Sequence, residues 1–407
     1  MRILMAFHPI DDYGGIINHN EQLVAGLKAQ GHDVTCGIFM NRVDKPRNGI
    51  SGGKASRSPY TLMEYDQRKG YTWTNCIPYK GRALQSAVNY LAGFDMVIWQ
   101  IAVPTKRKDQ KGNTDWVKLY DNGVCTQLAI IHDGNFLDSY PWLERVAQHI
   151  DGLACVHHCA YKSAKQIDIP SRWIPNPQEI RPVDLSQEQF DARTKGFLSV
   201  QTWKAWKHVP ELVAAMPYVK AECILAGKGI DYYYLTSKDK CKYPGIWDAA
   251  KPDYRDVITN NQRDELLRNL TVGLDPSWSK KYSAIGGHFN RVTVDAILCG
   301  AMPVVRSLGI SDNAQGQGEL FIGGVNCWAI PPNLTPREYG EAITDACNVS
   351  YSVYKSIMDG AVSLLYLFDR VVVAKQYVEF EATQRGITSQ AVLDKSTKVM
   401  ESFYGLM

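Results

Sequence analysis

Residues 274–305 read LDPSWSKKYSAIGGHFNRVTVDAILCGAMPVV, and this stretch is the strongest indication of the fold. Between residues 292 and 298, apolar side chains recur at the i, i+3 and i+4 spacing that predicts a helix. Gly300 ends that helix, because glycine adopts the left-handed conformation at low cost, and residues 301–305 then predict a short buried strand. The first half is a loop rich in Gly and Ser that leads into the helix start, where backbone N–H groups are suited to binding phosphate.

The same stretch resembles the donor-site signature of retaining glycosyltransferases of the GT-B type, especially family 4. Their signature is Pro-Ser, a Gly-rich loop, and then Glu-Ala-Met-Ala-Cys-Gly-Thr-Pro-Val-Val; residues 276–277 and 295–305 occupy the corresponding places. The resemblance implies that Asp295 holds the ribose hydroxyls of a sugar nucleotide. The family has a Glu eight residues upstream, where this chain has Gly287 followed by His288, so we expect the donor-sugar contact to differ there. On its residues alone, the stretch also fits an ordinary αβ unit.

Length and composition indicate a globular protein of two domains. The chain has 407 residues, more than one ordinary domain uses, and 45% of them are hydrophobic, which is usual for soluble proteins. No apolar run approaches the length of a membrane span, and polar residues interrupt the N-terminal stretch too early for a signal peptide. The ten cysteines have no metal-type spacing, so we expect reduced thiols, a cytoplasmic protein and no membrane partner.

The order of elements predicts an α/β fold. A strand at residues 2–7, a loop ending in Gly14 and Gly15, a helix and a second strand form a βαβ unit. Further buried strands alternate with helices through both halves of the chain, which predicts parallel sheets. The resemblance extends to this opening: it implies that Gly14 and Gly15 face the donor phosphates, and that two Rossmann-like domains face a cleft.

A polar, Pro-bearing segment after residue 176 predicts the domain boundary. The N-terminal, acceptor-binding domain is residues 1–180, with an insertion at residues 40–82 that is rich in turns and charge. An insertion of this length is usually functional or disordered. The sugar-nucleotide domain is residues 181–385. The resemblance implies that residues 386–407 form a helix that crosses back to the first domain.

Positive charge is concentrated between residues 42 and 118, although the net charge of the chain is only +3. Few acids accompany these basic residues, and aromatic residues lie among them. Basic loops interleaved with aromatic side chains suit a phosphate backbone and unstacked bases. A solvated surface would have the same composition. The candidates for DNA contact are Arg57, Arg68, Lys69, Lys106, Arg107 and Lys108.

Further candidates lie in the C-terminal half, after predicted strands. Lys207 stands at a predicted helix start, where a cation can neutralise a departing nucleoside diphosphate. It matches the Lys of the family pattern Gly-Arg-x-x-x-x-Lys-Gly, whereas Thr202 occupies the Arg position, and we expect Lys204 to supply the second charge. By the same resemblance, Gly227 and Gly229 lie where the nucleotide base stacks. A pair of surface lysines is the alternative interpretation.

His132 and Asp133 directly follow a buried strand, in a loop that should lie at its carboxyl end. Such a pair can position an acceptor hydroxyl or accept its proton, and Asp133 can stabilise positive charge that develops on the sugar. The alternative is a loop Asp that caps the next helix. No Asp-x-Asp motif suited to a metal-bound diphosphate occurs, so we expect no metal and no cofactor beyond the donor substrate, which the resemblance implies is a UDP-sugar.

The resemblance narrows to the phage DNA α-glucosyltransferases at residues 130–133, 206–208 and 297–303. It implies transfer of a sugar, with retention, from a UDP-sugar to the hydroxymethyl group of a modified pyrimidine in double-stranded DNA. The target base would be flipped out of the duplex. A family 4 enzyme of surface-polysaccharide or lipid-linked sugar synthesis is the alternative. A non-catalytic protein that binds a sugar nucleotide or DNA is a second one.

Overall fold

The structure is a computed structural model that describes residues 1–7, 14–40, 72–73, 77–78, 83–100, 119–120, 123–132, 149–157, 160–161, 164–167, 169–201, 207–227, 253–255, 257–277, 291–306 and 321–386. By their contacts, the residues divide into two compact units. Unit 1 comprises Met1–Glu179 together with Leu367–Met407, and unit 2 comprises Ile180–Tyr366.

The chain leaves unit 1 after Glu179 and returns to it at Leu367. The predicted second domain, residues 181–385, is therefore too long at its end. The two crossing segments of unit 1 pair with each other: the N–H of Gln178 donates to the carbonyl of Phe368 at 2.6 Å, and the N–H of Arg370 donates to the carbonyl of Gln178 at 2.8 Å. The predicted helix at residues 386–407 lies, apart from its first residue, outside the described residues.

Unit 1 is built on a parallel sheet. Its described strands run in the order β3-β2-β1-β5-β6-β7-β8, and β4 also pairs with β2. Every pairing is parallel, so the carboxyl ends of the strands share one edge. β5 and β6 are buried along their whole length, as central strands of a parallel sheet are. The strands are β1 (Arg2–Phe7), β2 (Asp33–Met40), β3 (Thr72–Trp73), β4 (Ile77–Pro78), β5 (Met96–Trp99), β6 (Thr126–Ile131), β7 (Gly152–Cys155) and β8 (Ser171–Trp173).

Unit 2 contains a second parallel sheet, so the predicted α/β class with parallel sheets is confirmed. Its described strands run in the order β11-β10-β9-β12-β13-β14, and every pairing is again parallel. The strands are β9 (Thr194–Val200), β10 (Glu222–Ala226), β11 (Asp253–Arg255), β12 (Leu270–Asp275), β13 (Met302–Arg306) and β14 (Trp328–Ile330).

Helices alternate with the strands in both units. Across the described part of the chain, none of them combines the length and the apolar character needed to cross a membrane. The helices are α1 (Gly14–Ala29), α2 (Ala83–Leu91), α3 (Gln187–Asp191), α4 (Val209–Ala215), α5 (Asn260–Asn269), α6 (Arg291–Leu298), α7 (Pro336–Cys347), α8 (Tyr351–Ser363) and α9 (Arg370–Gln384).

α1 and α9 pack against each other in unit 1, although they lie at opposite ends of the chain. Gly26 permits this close approach, because a Cβ there would lie 2.1 Å from the carbonyl oxygen of Arg370 and 3.0 Å from Cβ of Ala374. Leu23 of α1 and Tyr377 of α9 lie in the same buried apolar cluster. This packing explains why α9 belongs to unit 1.

Local sequence signals set several helix starts. Thr259 and Gln262 form a capping box at the start of α5, and Thr335 and Glu338 form another at α7. The carboxylate of Asp369 accepts two backbone N–H bonds at the start of α9. Each of these side chains satisfies N–H groups that have no partner within the helix.

The stretch at residues 274–305 folds as predicted wherever the structure describes it. β12 runs into it, α6 occupies its second half and β13 follows. Gly300 has φ +72°, so the predicted left-handed helix end is confirmed. A Cβ at Gly300 would also meet Nη2 of Arg193 at 2.5 Å, and that nitrogen donates to the carbonyl of Cys299 at 2.8 Å.

Candidate functional site

The carboxyl edge of the unit 1 sheet carries the first candidate site. Gln100 directly follows β5 and His132 directly follows β6, and these strands are neighbours in the sheet. Parallel pairing therefore places both residues at the edge where open α/β sheets bind ligands. Nε2 of His132 lies 3.2 Å from Oε1 of Gln100. Asp133, the predicted partner of His132, lies outside the described residues.

His19, in the second turn of α1, completes this cluster. Its ring packs edge-on against the ring of His132, with centroids 4.9 Å apart and ring planes at 85°. Nδ1 of His19 lies 2.7 Å from Oδ1 of Asn176. His19 is only 3% exposed, and its Nε2 has no hydrogen-bond partner among the described residues.

Burial keeps both imidazoles neutral. Desolvation lowers the pKa of His19 from 6.5 to about 4, although the hydrogen bond to Asn176 acts in the opposite direction. Desolvation also lowers the pKa of His132 well below 6.5, and repulsion from His19 and His157 lowers it further. A neutral imidazole can accept a hydrogen bond or a proton, which is the role predicted for His132 beside an acceptor hydroxyl.

Two buried amides extend the cluster into the core of unit 1. Nε2 of Gln100 lies 3.4 Å from Oδ1 of Asn20, and Nδ2 of Asn20 lies 3.8 Å from Sγ of Cys36. Gln100 and Asn20 are fully buried. Neither they nor His19 are among the sequence-based candidates. One available signal was the position of Gln100 at the end of an apolar strand, where a polar side chain needs a buried partner.

The carboxyl edge of the unit 2 sheet carries the second candidate site. Gln201 follows β9, and Asp275 is the last residue of the neighbouring strand β12. Nε2 of Gln201 donates to Oδ1 of Asp275 at 3.0 Å, and the backbone N–H of Ser277 donates to the same oxygen at 3.0 Å. All three residues are buried. The carboxylate therefore fixes the turn at Pro276 and Ser277.

Lys207 and His208 lie at the same edge, immediately before α4. Lys207 is buried. His208 has φ +54°, in the left-handed region that residues other than glycine rarely adopt, and its Nδ1 lies 3.0 Å from Oε1 of Glu211. The corresponding residue of the family pattern is Gly, which adopts this conformation at low cost. Because this chain has His208 there, its backbone carries a strain of about 1–2 kcal/mol. Strained backbone of this kind is concentrated at functional sites.

Asp295 faces α5 within unit 2. Its Oδ2 lies 2.7 Å from Nη1 of Arg263, and both side chains are almost fully buried. Arg263 also pairs with Asp264, with Nη2 and Oδ1 2.6 Å apart. The ion pair links α5 to α6, so this carboxylate has a structural contact as well as the predicted contact with ribose. The ribose contact stays a prediction.

Arg306, the last residue of β13, is a buried cation that the sequence-based candidates do not include. Its guanidinium lies over the ring of Tyr339, 4.7 Å from the centroid, and Nη2 donates to the carbonyl of Pro332. Its Nε and Nη1 have no hydrogen-bond partner among the described residues. Burial raises the pKa of Tyr339, against the attraction of Arg306. With Lys207, Arg306 brings a second buried cation to this edge.

The predicted glycines are described in part. Gly14 and Gly15 begin α1. Gly227 follows β10 with φ +128°, a conformation that side chains disfavour, and its N–H donates to the carbonyl of Arg255 at 3.2 Å. The other predicted residues lie outside the described residues: Lys204, Gly229, Gly287 and His288 at the donor site, and Arg57, Arg68, Lys69, Lys106, Arg107 and Lys108 for DNA.

No group of three or more His, Cys, Asp or Glu side chains suited to a metal ion occurs within the described ranges. A cavity of about 580 Å³ opens at the amino edge of the unit 1 sheet, where Asp95 and Asp151 are among its lining residues. Their carboxylates accept backbone N–H bonds from Arg2 and Gln127. The cavity therefore lies at the edge opposite His132, and the carboxylates of Asp95 and Asp151 form hydrogen bonds with the backbone.

No protein-family model matches the chain, and no curated protein matches it either. Solved structures do match. The Anabaena protein HepE, in complex with UDP and glucose, gives a TM-score of 0.66 at 14% identity, over 94% of this chain and 100% of HepE. The lipopolysaccharide outer core galactosyltransferase WaaB gives 0.59 at 12%, over 94% and 100%. An alpha-glucosyltransferase, in complex with UDP and a 13-mer DNA containing an HMU base, gives 0.61 at 13%, over 94% and 99%.

These likenesses extend over nearly the whole chain, and at 12–14% identity they show the fold. The two parallel α/β units are those of the GT-B glycosyltransferase fold, so the fold class predicted from residues 274–305 is confirmed.

Proposed function

We propose that the protein is a retaining glycosyltransferase that uses a UDP-sugar as donor. The observation that carries this proposal is the likeness over 94% of the chain to HepE and to the alpha-glucosyltransferase, both solved with UDP. The donor signature at residues 274–305 supports it independently. Within each unit, buried polar groups lie at the carboxyl edge of the sheet, which is where open α/β sheets bind ligands.

On the donor side, the diphosphate contacts Lys207 and Lys204, and the ribose contacts Asp295. Backbone at Gly14, Gly15 and Gly227 allows close approach to the nucleotide, because no Cβ is in the way. Gly229, Gly287 and His288 complete the base and sugar contacts.

The reaction requires no metal in this proposal, since lysine side chains neutralise the charge that develops on the leaving UDP. Activity should therefore persist in excess chelator. A complete loss that Mg²⁺ or Mn²⁺ restores would contradict the metal-free reaction while leaving the transferase proposal in place.

During transfer, the bond between the anomeric carbon and the UDP oxygen breaks, and a bond from the same carbon to the acceptor oxygen forms. UDP leaves with the bonding electron pair, and the acceptor oxygen loses its proton. His132, neutral in the folded protein, accepts a hydrogen bond from the acceptor hydroxyl or takes its proton. Asp133 stabilises the positive charge that develops on the sugar ring. A positioned proton acceptor typically contributes about 10²–10⁴-fold to the rate.

The acceptor that we propose is the hydroxymethyl group of a modified pyrimidine in double-stranded DNA. The basic, aromatic-containing sequence between residues 42 and 118 supports it, as does the fold likeness to an alpha-glucosyltransferase solved with DNA. Lysine and arginine there would hold the phosphates without reading sequence.

A second candidate acceptor is a growing surface glycan. The fold likeness to the lipopolysaccharide outer core galactosyltransferase WaaB favours it, and the TM-score for WaaB, 0.59, is close to the 0.61 for the alpha-glucosyltransferase. The donor chemistry would be the same for both acceptors, so the acceptor must be decided by experiment.

The deciding experiment incubates the protein with plain or hydroxymethylated DNA and a panel of UDP-sugars, and measures the mass of the released nucleosides. We expect one hexose or pentose added per modified base, with His132→Ala as the inactive control. UDP release without DNA modification, coupled to a glycan acceptor, would favour the second candidate. No transfer to any acceptor, together with no binding of UDP, would contradict the transferase proposal.

Binding to DNA offers a separate prediction. Neutralising Arg57, Arg68 and Lys69 together should weaken DNA binding and flatten its salt dependence, because each lost phosphate contact removes about 0.9 from the slope of log affinity against log salt. Fluorescence anisotropy between low and moderate salt measures the slope. An unchanged slope would remove these residues from the DNA-binding surface.

A further inference from the structure

The buried amides of unit 1 form a directed chain of hydrogen bonds that ends on His132. Asn20 is fixed from the core side, where its Nδ2 donates to Sγ of Cys36. That leaves Oδ1 of Asn20 to accept from Nε2 of Gln100 at 3.4 Å. Oε1 of Gln100 is then the atom that faces Nε2 of His132 at 3.2 Å.

The direction of these hydrogen bonds determines which nitrogen of the His132 imidazole carries the proton. An amide oxygen can only accept a hydrogen bond, so Nε2 of His132 must carry the proton. In a neutral imidazole only one nitrogen is protonated, which leaves the lone pair of Nδ1 available. Within the described residues, the hydrogen-bond partner of this ring is Gln100, through its side-chain oxygen at 3.2 Å and through its backbone.

The side chain of Gln100 is a neutral amide, and this affects the charge of His132 as much as the position of Gln100 does. A carboxylate beside an imidazole stabilises the protonated, cationic form through its full charge, whereas a neutral amide offers only a hydrogen bond, and burial outweighs that bond in setting the pKa of His132. His19 on α1 and His157 after β7 are the titratable groups that act on His132 electrostatically, and both disfavour a positive charge there. The burial of Gln100, Asn20 and His19 adds a desolvation cost for any charge placed among them.

We infer that Gln100, held by Asn20, is a positioning residue that fixes His132 as the Nε2–H tautomer and so presents Nδ1 to the acceptor hydroxyl. The inference rests on the proposed function only for the identity of the group that meets Nδ1. The tautomer itself is a property of the free protein.

The first experiment reads the tautomer by NMR of protein labelled with ¹⁵N at histidine, without substrate, at a pH where the ring is neutral. His132→Gln identifies the signals. We expect a protonated Nε2 and an unprotonated Nδ1 in the wild type. In Gln100→Leu we expect this preference to be lost, with Nδ1–H and Nε2–H forms in exchange. An Nδ1–H form in the wild type, or an unchanged spectrum in Gln100→Leu, would overturn the inference.

Gln127→Leu is the matched control. Gln127 is an equally buried glutamine of the same sheet, but its Oε1 accepts from Nε1 of Trp99 at 2.8 Å and its Nε2 donates to the carbonyl of Tyr120 at 2.6 Å. Its loss should lower stability and leave the His132 tautomer unchanged. A shift of the His132 tautomer in this control equal to that in Gln100→Leu would assign the effect to general loosening of the sheet and overturn the inference.

Gln100→Glu tests the same contact with a side chain of nearly the same shape. The carboxylate should stabilise the imidazolium, so His132 should titrate at a higher pH than in the wild type. The pH profile of kcat should move upward with it, because deprotonation of His132 then requires a higher pH. An unmoved His132 titration in a folded Gln100→Glu variant would show that the two side chains do not interact.

Kinetics separate positioning from binding. In Gln100→Leu we expect kcat to fall about 10- to 100-fold, within the range that a proton acceptor contributes, while KM for the UDP-sugar stays unchanged. A fall in donor affinity with unchanged kcat would overturn the positioning role. Since the tautomer is read without substrate, absence of transfer by the wild type would count against the proposed function alone.

Discussion

The buried polar side chains at the carboxyl edges of the two sheets differ in charge. In unit 1 the side chains of the cluster at the edge are neutral: Asn20, Gln100 and the partly buried His132 share hydrogen bonds, and His19 packs its ring against that of His132. In unit 2 the edge also carries charged side chains that are buried: Lys207, Asp275 and Arg306 lie there with the neutral Gln201, while Asp295 pairs with Arg263 nearby. Both sheets have the same parallel architecture, so the difference comes from the side chains.

This difference corresponds to the two substrates of the proposed reaction. A hydroxyl acceptor is neutral, and a neutral imidazole accepts its hydrogen bond without creating a buried charge. A nucleoside diphosphate is strongly anionic, and buried cations stabilise the charge that develops as it leaves. One architecture can therefore serve two chemically different ligands, provided that each edge carries side chains of matching charge.

The largest expected effect tests the charged character of unit 2. Asp295→Ala removes one partner of an almost fully buried ion pair, and breaking such a pair typically costs about 3–5 kcal/mol. Urea unfolding measures the loss, and calorimetric titration with UDP measures the ribose contact, which we expect to be abolished. Asp264→Ala is the control, because its carboxylate is more exposed and should contribute under about 1 kcal/mol.

Two results would change this interpretation. If Asp295→Ala is as stable as Asp264→Ala, then the buried ion pair is not what joins α5 to α6. If its UDP affinity is unaltered, the predicted ribose contact is wrong and the carboxylate is structural.

The next effect tests the neutral character of unit 1. Because the pKa of His19 is lowered from 6.5 to about 4, the unfolded chain binds protons more readily than the folded protein in that pH window. Stability is therefore complete above pH 6.5 and decreases as the pH falls towards 4, by about 3 kcal/mol from this residue. In His19→Gln that part of the pH dependence should disappear from urea unfolding curves. A variant with the full wild-type slope would show that His19 is not held neutral.

The smallest effect tests the strained backbone at the charged edge. His208 has φ +54°, which glycine adopts freely and other residues adopt at a cost. We compare His208→Gly with His208→Ala, because both remove the contact with Glu211 and only one relieves the strain. His208→Gly should be the more stable of the two by about 1 kcal/mol in thermal or urea unfolding. Equal stability would show that the left-handed conformation costs little here.

Much of the architecture could be predicted because it depends on local patterns. The apolar runs at β1 and β6, the spacing in α6 and the glycine after α6 each specify an element through periodicity or backbone freedom. The end of the second domain was placed wrongly for the opposite reason. α9 belongs to unit 1 because Gly26 of α1 admits the backbone of Arg370, and no local pattern shows that contact.

For the candidate site, the sequence alone determined the class of fold, the position of His132 after a buried strand and a polar stretch leading into α6. These follow from residue order, which sets where each strand ends. The contacts of His132 with His19 and Gln100, and of Asp295 with Arg263, become visible in the folded protein and not in the sequence. Such contacts join residues far apart in the chain. The physical reason is that burial in low dielectric makes each polar group depend on its neighbours in space, and the packing of helices on sheets chooses those neighbours.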